Sequence, residues 1–278
     1  MTRIALLQMT SGVSPDRNAN AIVEAAAEAA SEGAAMLFTP EMSGMLDRDR
    51  MRAAQTIRAE EDDPVLARLQ VAAADHRIWI AVGSLAVRRP DGWWANRSFL
   101  LDDQGRIAAR YDKIHMFDVS LASGESWRES AVYEPGRDVV TAETPVGRLG
   151  LAVCYDIRFP ALFEALGNRG CDVISIPAAF TVPTGKAHWH LLQRARAVEA
   201  SAYVVAAAQV GEHEDGRRTY GHSLVVDPWG EIVLDLGGDA PGLGFAEIEA
   251  DRIAEIRAQL PSLANRRDLS KSTVHDRI

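Results

Sequence analysis

Cysteine is scarce: the 278 residues hold only two, Cys154 and Cys171. Two cysteines permit one disulfide and exclude a disulfide framework. Reduced thiols and a cytoplasmic setting are expected. No apolar run approaches the length of a membrane span. The stretch from Met1 to Met9 has too short an apolar core for a secretory signal, and no small-residue cleavage site follows it. Internal repeats, low-complexity tracts and Pro/Ser-rich linkers are also missing. A second domain would have no visible seam, so one domain over residues 1–278 is expected. Positive charge is short as well. The net charge of −9 argues against nucleic acid or an anionic membrane as partner. An anionic substrate would need a local cationic pocket.

What is present is ordinary for a globular chain: 47% hydrophobic and 25% charged residues, enough for a large core. Residues 4–9 read as a buried strand. Residues 18–31 read as an Ala-rich helix closed by Gly33. Residues 36–39 form a short apolar strand running into Pro40-Glu41. Asp63 caps a helix over 64–74 with Pro64 in its first turn. Strands follow at 78–87, 94–101 and 107–111, the last leading to Asp112-Lys113-Ile114-His115. Residues 116–137 have no clear period and read as a functional loop carrying Glu125 and Glu129. Residues 139–153 read as a hairpin that delivers Cys154. Beyond it come a helix at 161–166, a strand at 172–177 and a helix at 188–201. Arg194 and Arg196 read as a solvated or subunit-facing surface of that helix. A strand at 203–210, a hairpin over 222–236, a strand at 244–248 and a helix at 251–260 complete the pattern. The polar tail, 262–278, is expected over the surface or a partner subunit. The frequent hairpins argue against a strict alternating β/α barrel. An α/β arrangement of two facing mixed sheets, with helices on both outer faces, fits better and explains the near-continuous apolar strands.

The apolar run 149–153 stops at Cys154, and Pro160 then opens a helical pattern. This is how α/β proteins place a side chain at the carboxyl end of a strand. A nearby helix N-terminus would favour a thiolate; the plain alternative is a packed structural cysteine. Glu41 and Lys113 also stand where apolar strands end. The three suit acyl transfer. A thiol needs a base, and a carboxylate in a dry pocket is expected to have a raised pKa. Lys113 and the backbone N–H of Tyr155 are candidate donors to an oxyanion, and a thioester would then fall to water.

Phe38-Thr39-Pro40-Glu41, Tyr111-Asp112-Lys113-Ile114-His115 and Gly150-Leu151-Ala152-Val153-Cys154-Tyr155-Asp156-Ile157-Arg158-Phe159-Pro160, in that order, resemble the motifs of the nitrilase superfamily, the carbon–nitrogen hydrolases. The resemblance covers nearly the whole chain. It implies a four-layer α-β-β-α sandwich of two mixed sheets flanked by helices. It implies a homodimer or higher homo-oligomer, and a thiol amidase with no cofactor and no metal. By resemblance Glu41 is the general base, Lys113 stabilises the tetrahedral intermediate and Cys154 is the nucleophile. A second glutamate falls at Glu129, with Glu125 as the competing position. Ala179-Phe180-Thr181, Thr184-Gly185-Lys186-Ala187-His188-Trp189 and Arg194-Ala195-Arg196-Ala197-Val198-Glu199 resemble the Nit branch of amidases, which includes ω-amidases and deaminated glutathione amidases. Residues 203–209 and 220–230 look closer to the second group. Substrates of this branch carry an anionic 2-oxoglutaryl end. Arg158 matches the arginine placed near that carboxylate, with Tyr155, Phe180 and Thr181 as further substrate-binding positions. An ion pair of Arg158 with Asp156 or Glu199 is the structural alternative. The departure from the family pattern is Met42-Ser43-Gly44-Met45, where smaller or aromatic residues are expected.

Blander readings hold elsewhere. Cys171 is expected to pack, His115 to support Lys113, and Trp93-Trp94 to mark an exposed turn or an interface. His188 and His190 are two apart and face apart on a helix, so neither makes a zinc pair by spacing. The rival mechanism is a papain-type Cys/His pair using His188 or His222. The non-enzymatic rival is an interaction protein that keeps the fold without turnover.

Overall fold

The computed structural model describes residues 1–120, 124 and 126–267. The first half contains β1 (Thr2–Gln8), α1 (Pro15–Ser31), β2 (Met36–Phe38), α2 (Arg50–Thr56), α3 (Pro64–His76), β3 (Trp79–Arg88), β4 (Trp94–Leu101) and β5 (Ile107–Asp112). Next come β6 (Asp118–Ser120), β7 (Ser126–Arg128), β8 (Thr141–Thr144), β9 (Gly147–Leu151), α4 (Pro160–Asn168) and β10 (Val173–Ser175). The chain continues through α5 (Val182–Ala200), β11 (Tyr203–Ala206), β12 (Val210–Glu212), β13 (Arg218–Tyr220), β14 (Leu224–Val226), β15 (Ile232–Asp235), β16 (Gly242–Ile248) and α6 (Ala250–Gln259).

The two large sheets are six-stranded, ordered β16-β1-β2-β3-β4-β5 and β15-β14-β11-β10-β9-β8. Each has a parallel centre, β1-β2-β3 in one and β9-β10-β11 in the other. Antiparallel strands extend both centres outward. Strand alternation sorts the core. Ile4, Leu6, Met36 and Phe38 face the second sheet, where they join Leu149, Leu151, Val173 and Val205. Their neighbours Ala5, Leu7 and Leu37 face outward against Ile22, Ala26, Leu66 and Leu69 of α1 and α3. Phe163 and Leu166 of α4 and Trp189 and Ala197 of α5 cover the second sheet. The result is the expected α-β-β-α order, in which both sheets are covered and their central strands have no polar face. The sheets are also tied at one end, where Met9 after β1 bridges Gln209 after β11. Asp63 caps α3 by accepting from the Leu66 N–H at 2.9 Å, a contact worth about 1 kcal/mol. Among the described residues no helix is long and apolar enough to cross a membrane.

Several elements differ from the reading of the sequence. The segment 116–137 is not one irregular loop: β6 and β7 pair as a hairpin, and a 3-10 turn, Glu129–Ala131, follows. α2 carries no apolar stripe, since only Ala53 is buried, and only its Asp49 cap announces it. α5 starts at Val182 rather than at residue 188, because Pro183 is tolerated in a first turn. Gly185 looks like a breaker, but a Cβ there would lie 2.2 Å from the Tyr220 ring. Arg196 is not on the surface. It is 4% exposed, and its Nε donates to the Ile157 carbonyl at 2.8 Å. Glu125 and the end of the polar tail, 268–278, lie outside the described residues.

Candidate active site

The site forms beyond the ends of β2, β5 and β9. After β2, the Thr39 N–H donates to the Ala81 carbonyl and the Gly83 N–H donates to Thr39 Oγ1, both at 3.0 Å. This close approach requires glycine, because a Cβ at Gly83 would sit 2.1 Å from the Thr39 carbonyl oxygen. Met42 then turns the chain at φ +54°, its N–H donating to Ser84 Oγ at 2.9 Å. Glu41 is thereby fixed pointing inward. Its Oε1 accepts from Lys113 Nζ and Asn96 Nδ2, and its Oε2 from the Ala179 N–H, all at 2.9 Å.

Lys113 directly follows β5, with its N–H donating to the Asn96 carbonyl at 2.9 Å. Besides Glu41, its ammonium reaches Glu129 Oε2 at 2.9 Å and Oε1 at 3.2 Å. The β6–β7 hairpin delivers Glu129, whose Oε2 also accepts from the Phe117 N–H at 2.7 Å. Asn96 Nδ2 bridges the two glutamates, reaching Glu129 Oε1 at 2.9 Å. Glu129 is thus the loop glutamate found in the cluster.

β9 ends at Leu151, and Cys154 opens a 3-10 turn, Cys154–Arg158, at φ +50°. Its N–H donates to the Pro177 carbonyl at 2.8 Å. Asp156 secures the turn. Its Oδ2 accepts from the Val153 N–H at 2.9 Å and from the Tyr111 hydroxyl at 2.7 Å. Its Oδ1 accepts from the His115 N–H at 3.0 Å and lies 2.7 Å from His115 Nδ1. One buried carboxylate therefore joins the lysine segment to the cysteine segment. His115 supports this junction and stacks on Phe159 at 3.6 Å.

Two electrostatic expectations are corrected. Cys154 itself opens a 3-10 turn, and α4 starts only at Pro160. Burial raises the Cys154 pKa, the Glu41 carboxylate raises it further, and Lys113 does not offset them. The group rests as a thiol. Glu41 is not raised but lowered: burial pushes it up, yet the Lys113 ammonium and hydrogen bonds from Lys113, Cys154 and Asn96 outweigh burial. Lys113 is held well above its usual value, because the charges of Glu129 and Glu41 overcome its burial. The resting cluster is carboxylate, ammonium and thiol, with the thiol close to the carboxylate. It can pass a proton from sulfur to Glu41 and present positive charge beside the attacked atom.

The expected substrate-binding residues only partly converge. The Arg158 guanidinium carbon lies 5.8 Å from the centre of the Tyr155 ring and 5.4 Å from that of Phe180, and Nη1 is 3.4 Å from His188 Nδ1. Among the described residues Arg158 pairs with neither Asp156 nor Glu199. Asp156 is occupied as above, and Glu199 pairs with Arg196. Thr181 follows Phe180 directly. It stands at the start of α5, its hydroxyl 2.8 Å from Thr184 Oγ1. The papain-type rival lacks its geometry: His188 lies against Arg158, and His222 against Asp235. Cys171 is fully buried, and burial pushes its thiol up to about 12. Trp93 is exposed, whereas Trp94 is buried edge-on against Tyr133. His188 and His190 do face apart, but His190 meets His222 and Asp235, a donor set that could hold a metal ion. Asn96 and Asp156 were missed as site-builders. The signal for Asn96 was a polar residue within the apolar run 94–101.

A buried thiol beside a Glu–Lys pair, at the strand ends of an α-β-β-α sandwich, defines a class of hydrolases that attack carbon–nitrogen bonds. The chain belongs to the carbon–nitrogen hydrolase family, whose model matches residues 3–258. It is 41% identical over 270 residues to the deaminated glutathione amidase of Yersinia enterocolitica, covering 96% of this chain and 93% of that one. It is 37% identical over 271 residues to the human deaminated glutathione amidase, covering 95% and 82%. Among solved structures, the C. elegans NitFhit protein superposes with a TM-score of 0.88 at 35% identity, covering 96% of this chain and 65% of that one. The amidase of Nesterenkonia sp. AN1, solved as a Glu-to-Gln mutant with acrylamide added to its active-site cysteine, gives 0.79 at 30% identity, covering 94% and 98%.

Proposed function

We propose that the chain hydrolyses the amide bond of a 2-oxoglutaryl amide, deaminated glutathione foremost, releasing 2-oxoglutarate and cysteinylglycine. The observation that carries this reading is the buried Glu41–Lys113–Cys154 cluster with Arg158 held between Tyr155 and Phe180. Cys154 Sγ attacks the amide carbon while Glu41 takes the thiol proton. Lys113 and the Tyr155 N–H hold the oxyanion. The C–N bond breaks as Glu41 gives its proton to the leaving amine, which leaves a thioester. Glu41 then takes a proton from water, the hydroxide adds to the acyl carbon, and the C–S bond breaks to regenerate the thiol. Nucleophile, proton carrier and positive charge all come from the chain, so the scheme calls for no cofactor. Glu129 keeps Lys113 charged and in place. Arg158 offers a planar fork to the substrate's anionic end.

The same reading places the protein in the cytoplasm as a homodimer or higher homo-oligomer with no nucleic-acid partner. Support for self-association comes from exposed Leu191 and Val198 on α5 beside Trp229, Ile232 and Val233 of the β14–β15 hairpin. The test is a panel of 2-oxo-acid amides with mass spectrometry of the protein. An acyl adduct on Cys154, absent from Cys154→Ala, and faster turnover of deaminated glutathione than of 2-oxoglutaramate are expected. Faster turnover of the small amide makes the protein an ω-amidase. Absence of any adduct or product sinks the enzymatic reading and leaves an interaction protein.

A further inference from the structure

Outside the candidate active site, potential metal-binding side chains converge at one place among the described residues. His190 lies on α5, His222 precedes β14, and Asp235 ends β15. Asp235 Oδ2 is 2.9 Å from His190 Nε2, and Asp235 Oδ1 is 3.0 Å from His222 Nδ1. The three donor atoms lie within 4.8 Å of one another. We propose that His190, His222 and Asp235 bind a divalent transition-metal ion of the zinc class, clamping α5 to the β14–β15 hairpin.

The geometry favours this ion. Zinc bonds of about 2.0–2.1 Å in a tetrahedron put neighbouring ligand atoms about 3.3 Å apart. The present His–Asp separations are 2.9–3.1 Å, a few tenths of an ångström short of that spacing, and the two histidine nitrogens lie within 4.8 Å of each other. Two imidazoles with one carboxylate suit zinc and its neighbours, whereas magnesium and calcium prefer all-oxygen sets. His190 and His222 are half-buried and Asp235 is exposed, with side-chain exposures of 32%, 24% and 28%, which leaves a side for water as fourth ligand.

The surrounding groups hold the ligands in these orientations. Tyr220 stacks on the His222 ring at 4.4 Å, and His190 stands edge-on to His222 at 4.9 Å. Gly185 presses against Tyr220 and fixes that ring. The Gly237 N–H donates to Asp235 Oδ1 at 2.9 Å, and the Gly237 carbonyl accepts from the His222 N–H at 2.8 Å. Such outer contacts set ligand direction and metal affinity. His222 reaches the site from a left-handed backbone position, φ +56°. Trp189, beside His190, donates its indole N–H to the His222 carbonyl at 2.8 Å, so helix and loop are already aligned. Local spacing conceals the site because Asp235 lies 45 positions from His190 and 13 from His222.

The test uses the full chain carrying Cys154→Ala, which removes the active-site thiol as a competing ligand, stripped with a chelator and titrated calorimetrically with zinc chloride. One zinc per chain is expected, with a raised melting temperature and no displacement by magnesium. His190→Ala and His222→Ala should each weaken binding about tenfold or more, while His76→Ala, at the end of α3, should leave it unchanged. The metal-free melts of the variants check folding. If His222→Ala does not fold, His190→Ala, which alters only the helix side of the site, decides. No saturable zinc uptake by the Cys154→Ala chain, or full uptake by His190→Ala, overturns the proposal.

Discussion

Replacing Lys113 with methionine preserves side-chain length and removes one charge. The residue is 2% exposed and bridges Glu41 and Glu129, each at 2.9 Å. Without it, two carboxylates face each other with Asn96 Nδ2 as their shared donor. Deleting one partner of a buried ion pair costs about 3–5 kcal/mol. The variant recovers part of that by protonating one carboxyl, as close carboxylates do. That proton raises the folded-state pKa of the pair above its unfolded value. The relief is therefore present at low pH and is lost as pH rises through the raised value. In the parent chain the raised Lys113 pKa keeps the ammonium, so its contribution persists through neutral pH. Urea unfolding at about pH 5.5 and about pH 8.5 should show a deficit in Lys113→Met that grows at the higher pH. Amide turnover should fall about 10²–10³-fold, the usual loss on removing an oxyanion donor. Adding Glu129→Gln removes one charge of the opposite sign and should restore about 0.5–3 kcal/mol of stability without restoring turnover. An unchanged urea midpoint for Lys113→Met at both pH values would refute this account of the site.

Other perturbations separate the roles further. Glu41→Gln should lower kcat about 10²–10⁴-fold, while alkylation of Cys154 by iodoacetamide moves to lower pH, because the carboxylate that raises the thiol pKa is gone; wild-type turnover would remove Glu41 as base. The Gln amide must also turn an N–H toward the Ala179 N–H, Asn96 or Lys113, costing about 1–3 kcal/mol in urea unfolding. The lowered Glu41 pKa means stability fully present above its ordinary 4.5 is lost as pH falls below 4.5 through the lowered folded-state value, and Glu41→Gln should flatten that part of the acid-unfolding curve. Arg158→Gln should cost about 1.5–3 kcal/mol in kcat/KM on 2-oxoglutaryl amides yet leave iodoacetamide alkylation unchanged; an equal loss on uncharged amides would detach Arg158 from the carboxylate.

The layers were legible because buried strands write themselves as apolar runs. Leu149, Leu151, Val173 and Val204 needed no partner information to be placed inside. The clustered residues of the candidate site were legible because polar groups interrupt those runs at Glu41, Lys113 and Cys154. What supports them was not. Asp156 reaches Tyr111 and His115 across 45 and 41 positions, and Asn96 reaches Glu41 across 55. Contacts of that span leave no periodic trace. Arg196 misled for a related reason: an arginine on a helix usually faces water, but here the Ile157 carbonyl claims its guanidinium.

Charge balance also explains why the thiol keeps its proton and when it yields it. Glu41 and Glu129 against Lys113 already leave the buried cluster with one surplus negative charge. A resting thiolate would add a second with little water to screen it, which is why burial and Glu41 together hold the Cys154 pKa up. In the proposed reaction the sulfur's charge never settles there. As Sγ bonds to the carbonyl carbon, the proton neutralises Glu41 and the negative charge appears on the oxygen. The total stays the same, and Lys113 exchanges Glu41 for the oxyanion as its partner. Glu129 makes that exchange possible. It keeps the ammonium charged and fixed, through both oxygens, while Glu41 is neutral. Without it, burial would press the proton off Lys113 at the moment the oxyanion forms. A single-glutamate version of this site would therefore lose its positive charge when the charge is needed, and Glu129→Gln should lower kcat more than it raises KM.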